Sequence, residues 1–109
     1  MSNEPLAIPS LRIGGIDFQI SYEQEVRNKD DQLLYGQIAY EDALIRLTLH
    51  PPQIQLATLL HEAVHGILNH AGIHEHDEHL INVISNGIYQ MLADNADLLQ
   101  ELTRRRFAQ

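Results

Sequence analysis

Cysteine is absent from this chain of 109 residues, which excludes disulfides and any thiolate metal site. Cationic side chains are scarce: 7 Lys and Arg stand against 15 Asp and Glu, a formal charge of −8. That balance argues against non-specific nucleic-acid binding, which needs a basic face. The one basic cluster, Arg104-Arg105-Arg106, falls at the end of a predicted helix, where cations complement the helix dipole. No apolar run approaches the length of a membrane span. The opening Met1-Ser2-Asn3-Glu4-Pro5 is polar and acidic, unlike a secretory leader. These absences lead us to expect a cytoplasmic protein with no nucleic-acid and no membrane partner. Hydrophobic residues make up 44 % of the chain, enough for one domain with one modest core.

The most informative feature present is His61-Glu62-Ala63-Val64-His65, an H-E-x-x-H run inside a stretch of helical period. Residues four apart share a helix face, so both imidazoles can reach one ion, and the acid beside the first can take a proton from water at that ion. From Gln53 to Ala71 there is no proline, and Leu56, Leu60, Ala63, Val64, Ile67 and Ala71 form an apolar stripe. Thr58, His61, Glu62, His65 and Asn69 fall on the polar edge beside it. A solvated face with ordinary i,i+4 pairing is the alternative account of these residues.

A zinc site needs a third ligand. Gly72 is suited to end the first helix, and His74-Glu75-His76-Asp77-Glu78-His79 follows it. A metzincin-like third histidine is excluded by spacing, because Leu68 and Ala71 stand where Gly and His are required; His70 falls on the far side of the helix from His61. A second helical period runs from about Asp77 to Ala93, with Leu80, Ile81, Ile84, Ile88, Met91 and Leu92 on one face and Glu78, Asn82, Ser85 and Tyr89 along its edge. Glu78, in the first turn of that helix, is the favoured third ligand. Asp77 and His74 stay open as alternatives, and Asp77 also suits an N-cap. His76 and its other neighbours have no assigned role beyond support or solvation.

Ahead of the helices, Met1 to Ser10 contains Pro5 and Pro9 and reads as a flexible N-terminal arm, leaving 11–109 as a single domain. Ile13-Gly14-Gly15-Ile16 offers a turn. Ile16, Phe18, Ile20 and Tyr22 alternate with polar residues as in a half-buried strand. Glu23 to Asp31 reads as a solvated loop or short irregular helix. Leu34 to Tyr40 and Leu44 to Leu49 read as a hairpin about Glu41-Asp42, and Pro51-Pro52 opens the long helix. The expected fold class is α+β, with a small antiparallel sheet of about three strands packed on the two helices. If Leu44 to Leu49 is a free edge, it could hold a peptide by strand addition. A last helix, Asp97 to Phe107, could pack within the domain or on a second copy.

Tyr35-Gly36-Gln37-Ile38, Leu44-Ile45-Arg46-Leu47 and Thr58-Leu59-Leu60-His61-Glu62-Ala63-Val64-His65-Gly66-Ile67 together resemble the ImmA/IrrE-type metallopeptidases of phages and mobile elements, the minimal gluzincins. The resemblance spans roughly Leu11 to Ala93. It implies a zincin-like fold in which strands precede the H-E-x-x-H helix and a later helix carries E-x-x-x-N, matched here by Glu78 and Asn82. Leu80 replaces a second acid common in that family.

The expected function is that of a zinc-dependent hydrolase acting on peptide bonds, with Zn2+ held by His61, His65 and Glu78 and with Glu62 as general base. Its partner would be a peptide or protein substrate, such as a repressor or host protein. The oxyanion donor is open among Tyr35, Tyr40 and the histidines of 74–79. The alternative is a zinc-stabilised, non-catalytic protein-binding module of phage or prophage origin.

Overall fold

Gly14-Gly15 makes the first turn of the fold. Both residues have positive φ, 57° and 80°, as a two-residue hairpin turn matched to strand twist requires at both central positions. They join β1 (Ser10–Ile13) to β2 (Ile16–Glu23), paired antiparallel from Ile13↔Ile16 to Ser10↔Gln19. The computed structural model describes residues 3–107, and the side chains of 3–105. Within these residues the chain continues through β3 (Val26–Arg27), β4 (Leu33–Leu34), β5 (Gly36–Ala39) and β6 (Leu44–Thr48) to α1 (Pro52–His70), α2 (Glu78–Asp94) and α3 (Ala96–Phe107). This is an α+β fold of three helices and a small mixed sheet.

The sheet departs from the expected antiparallel arrangement. Its order is β1-β2-β6-β5, with β2 and β6 parallel and the outer pairs antiparallel. The hairpin about Glu41-Asp42 forms, and Ala43 N–H donates to the Tyr40 carbonyl at 3.2 Å. It is the second arm that docks on β2, not the first. Docking β6 aligns Ile20 with Ile45 and Tyr22 with Leu47 on the inward face. On the outward face Arg46 clasps Glu23 through two bonds of 3.0 and 2.9 Å. Which arm of the hairpin lies at the edge is open in the sequence, and Leu44 to Leu49 is not the edge. Ile45 and Leu47 are fully buried in the sheet interior, and β5 is the free edge beside the helices.

Strand β1, absent from the sequence reading, places Leu11 and Ile13 beside Phe18 and Ile16. The stretch from Glu23 to Asp31, expected to be solvated, contributes β3, paired with β4, and buries Val26 completely. A single apolar residue among charges carries no period for a sequence reading to detect. The leading segment, bent at Ala7, runs into β1 and is tied down at three points. The Ile8 carbonyl accepts from the Tyr22 hydroxyl at 2.7 Å, the Pro9 carbonyl from Ile20 N–H at 3.0 Å and the Glu4 carbonyl from the Gln55 amide at 2.8 Å. Leu6 and Ile8 pack against the core.

The helix boundaries match the expected ones closely, and the buried faces match in part, at Ala63, Val64 and Ile81. On α1 the buried positions are Gln55, Leu59, Glu62, Ala63, Val64 and Gly66, while Ile67 is exposed. The reason is that α1 is covered on two sides, by the sheet and by α2, so its buried surface is rotated toward the predicted polar edge. On α2 the buried residues are Ile81 and Ser85, whereas Leu80, Ile84 and Met91 are exposed. Glu78 meets His61 and His65 of α1, Asn82, Ser85 and Tyr89 line the groove between the two helices, and much of the apolar stripe of α2 turns outward. Leu98, Leu99 and Leu102 of α3 are exposed; the Arg106 and Phe107 side chains lie outside the described residues.

Two glycines let α1 approach the sheet. A Cβ on Gly66 would stand 3.0 and 3.1 Å from the Ile13 and Ile38 methyl groups; one on Gly36 would stand 2.6 Å from Thr58 Cγ2 and 3.0 Å from the Arg46 carbonyl oxygen. Neither partner of Gly36 is a flexible tip, so Gly36→Ala must push β5 away from α1. We expect a loss of about 1–3 kcal/mol in urea unfolding, the usual range for overpacking. An unchanged midpoint would mean that β5 shifts freely.

Candidate metal centre

The site begins with the way α1 ends. Gly72, at φ 86°, takes the left-handed conformation that closes a helix, with Gly72 N–H on the Asn69 carbonyl at 3.0 Å and Ile73 N–H on the Leu68 carbonyl at 2.9 Å. Asp77 then caps α2, its side chain accepting from Leu80 N–H at 3.2 Å. The chain reverses between these two caps, so the first turn of α2 faces the middle of α1.

The reversal brings Glu78 onto both histidines of the H-E-x-x-H run. His61 Nε2 lies 3.2 Å from one Glu78 oxygen, His65 Nε2 lies 2.9 Å from the other, and the two Nε2 atoms are 3.3 Å apart. Ligand atoms sharing one tetrahedral zinc at about 2.0–2.2 Å stand roughly 3.3–3.5 Å from each other. The two histidine nitrogens have that spacing, each stands beside a different Glu78 oxygen, and one ligand atom from each residue lies within 4.8 Å of the other two. His61, His65 and Glu78 form the one group among the described residues that could hold a metal ion. Asp77 and His74 are elsewhere: Asp77 is the N-cap, and His74 Nδ1 pairs with Asn69 Oδ1 at 2.8 Å. His70 is exposed at the end of α1, on the side of Gly14.

The chemistry of the donor set agrees with its dimensions. The His76 ring sits between His65 Nδ1, 2.7 Å away, and the Ile73 carbonyl, 2.7 Å away. A carbonyl only accepts, so His76 donates from Nε2 and, when neutral, accepts at Nδ1 from His65 Nδ1–H. His65 Nε2 is then a bare lone pair facing a carboxylate oxygen and a second imidazole. Burial holds the His65 imidazole below its ordinary range; Glu78 opposes this, while His61 and His76 reinforce it. A bare His65 Nε2 beside the Glu78 carboxylate and the His61 imidazole fits a cation at their centre.

Comparisons with family profiles, curated proteins and solved structures found no match. The reading of the centre therefore stands on its own geometry.

Glu62 lies buried beside the cluster, 7 % exposed. Burial pushes its carboxyl from 4.5 up to about 7; Glu78 adds to the rise, and a hydrogen bond from the Ile38 backbone opposes it. Tyr40, from the β5–β6 turn, opens onto the same pocket of ≈ 370 Å³ as His61, Glu62, His65 and Glu78. Its phenol is raised by burial and by the charges of Glu62 and Glu78, which keep it a hydrogen-bond donor. Tyr35, the other tyrosine considered for that role, lines the adjoining groove beside His61 and Glu62. Past Thr58, Asn82 and Asn86, a groove continues between α1 and α2 to a wider, largely apolar recess of ≈ 470 Å³ at Tyr35, Ile54 and Tyr89. The sequence placed His76 only among several groups that could support the site or donate to an oxyanion, and it did not single out the Ile38 backbone; neither has a spacing signal, since each reaches the site through tertiary contact.

The Glu62 carboxyl has a measurable signature in the metal-free protein. The folded state keeps a proton that the unfolded chain releases, so stability is lost as pH rises from about 4.5 through about 7. Metal-free Glu62→Gln should be more stable than wild type above neutrality, on the order of 3 kcal/mol, and converge with it in acid. Urea titrations of the chelated proteins at about pH 5 and about pH 8 check this. A difference that does not vary with pH would mean that burial does not perturb Glu62.

Proposed function

We propose that this chain is a zinc-dependent peptidase of the minimal gluzincin kind, with a zincin-like arrangement similar to that of the ImmA/IrrE-type enzymes. The observation that carries the reading is Glu62: an acid buried beside a His/His/Glu cluster, poised near neutral pH, and opening onto a pocket that a substrate can enter. A purely structural ion would not need a base there.

His61, His65 and Glu78 would hold the ion. When bound, zinc supplies Lewis acidity toward a carbonyl oxygen and toward water. Glu62 accepts the proton of the attacking water, which its perturbed carboxyl suits it to do near pH 7, and passes that proton to the leaving amine. Tyr40 donates a hydrogen bond to the carbonyl oxygen as negative charge develops on it.

The substrate class follows from the edge and the groove. Strand β5 has no partner strand on its outer side among the described residues; the Ile38 backbone is engaged by Glu62, and the remaining outward backbone groups of β5 could pair with an extended peptide. The groove from the cluster to Tyr35 and Tyr89 would take side chains of that peptide. A protein offering an extended loop, such as a repressor or host protein, is the partner this implies.

The test is metal content together with hydrolysis. Purified protein should carry about one zinc per chain by elemental mass spectrometry, and Glu78→Ala should lose most of it. Glu62→Gln should keep zinc while peptide cleavage falls by at least about 100-fold, the low end for removal of a general base. Zinc retained with biological activity undiminished in Glu62→Gln would favour the zinc-stabilised binding module; no zinc in wild type after reconstitution would rule out both.

A further inference from the structure

We propose that His76 is a positioning residue for the metal centre, holding His65 in the one tautomer that presents an unprotonated Nε2 to His61 and Glu78. The inference rests on the reading of His61, His65 and Glu78 as metal ligands.

The argument is a chain of hydrogen bonds with a fixed direction. It starts at the Ile73 carbonyl, which has no proton to give. His76 Nε2 lies 2.7 Å from that oxygen and must be the donor. His76 Nδ1 lies 2.7 Å from His65 Nδ1, and neutral His76 has only a lone pair left at that atom. His65 Nδ1 must then carry the proton, which leaves Nε2 bare at 2.9 Å from Glu78 and 3.3 Å from His61. The ring geometry supports a directed bond: centroids 4.9 Å apart, with planes inclined by 25°, mean that the rings meet edge to edge and nearly coplanar, with the lone pair of one aimed at the N–H of the other. A face-to-face stack could not combine that centroid distance with so short a nitrogen–nitrogen contact.

The bond matters because a neutral histidine left to itself favours the proton on Nε2, the atom the ion would need. A partner on Nδ1 that can only accept removes that competition, and such outer partners are commonly worth 10–100-fold in metal affinity. The base of the chain is itself fixed, because Ile73 N–H closes the end of α1 on the Leu68 carbonyl at 2.9 Å. The same turn that aims Glu78 at the cluster thus supplies the acceptor that orients His76. His76 is half-buried in the linker, within reach of both.

The test compares His76→Phe with His76→Gln in the full-length protein, reading zinc affinity by chelator competition and unfolding of the metal-free protein. Phenylalanine keeps the flat shape but accepts nothing. Glutamine can accept from His65 with its oxygen and donate to Ile73 with its nitrogen. We expect His76→Phe to weaken zinc binding about 10–100-fold and His76→Gln to restore it to within about threefold, with both variants unfolding alike once chelated. Long-range proton–nitrogen spectra of the zinc-loaded wild type should show His65 protonated at Nδ1 and unprotonated at Nε2. Equal zinc affinity in wild type and His76→Phe would overturn the inference while leaving the metal site standing. Equal losses in Phe and Gln variants, or a His65 coordinated through Nδ1, would also overturn it. A wild type that binds no zinc would overturn the inference and the metal reading together.

Discussion

The reversal between α1 and α2 is the constraint on which the candidate centre depends. Two imidazole nitrogens and a carboxylate meet at 2.9 to 3.3 Å, although no local signal within α1 or α2 alone draws Glu78 to the histidines. The covalent path gathers them instead. A left-handed glycine stops α1, an aspartate cap starts α2, and the intervening residues are too few to let Glu78 go elsewhere. Both caps satisfy backbone groups that would otherwise be orphaned, so the geometry of the turn is stabilised independently of what it does to the three side chains. His76 belongs to the same device, fixed to the turn on one side and to a proposed ligand on the other.

The order of the sheet does comparable work from the opposite wall. Placing β6 between β2 and β5 buries the two most apolar inward positions, Ile45 and Leu47, at the centre of the sheet. It also leaves β5 free on its outer side, over the middle of α1. From that edge come the backbone hydrogen bond on Glu62 and, at the turn beyond it, Tyr40. Close contact there is feasible because Gly36 has no side chain where it meets Thr58. One choice of strand neighbour thus serves both core and pocket.

The folded protein without an ion carries a local conflict. A carboxyl is buried beside another carboxylate, and much of the apolar stripe of α2 faces outward. Such departures from the rules of core building gather at functional sites, where a ligand restores the balance. Here the conflict is confined to one pocket, between a sheet whose inward rows match residue for residue and two helices whose termini are well capped. That confinement is why the site reads as a centre for a cation and not as a defect of packing.

The sequence by itself determined the local elements and the identity of the clustered residues. Helical period, prolines and caps located α1, α2 and α3 to within about one residue of 53–71, 77–93 and 97–107, because those signals act within a few residues of chain. The spacing of His61 and His65 on one face, and the position of Glu78 in a first turn, are likewise local geometry. Tertiary structure decided what no local signal encodes. A hairpin with two apolar arms can dock by either, and only the match of β6 to β2, clasped by Arg46 and Glu23, selects a mixed sheet with β5 at its edge. The burial of Val26, the rotation of the buried face of α1, the separation of Asp77 and His74 from the cluster and the seat of His76 follow from that packing. Each depends on which distant surface arrives opposite a residue, and hydrophobic period records only that some surface does.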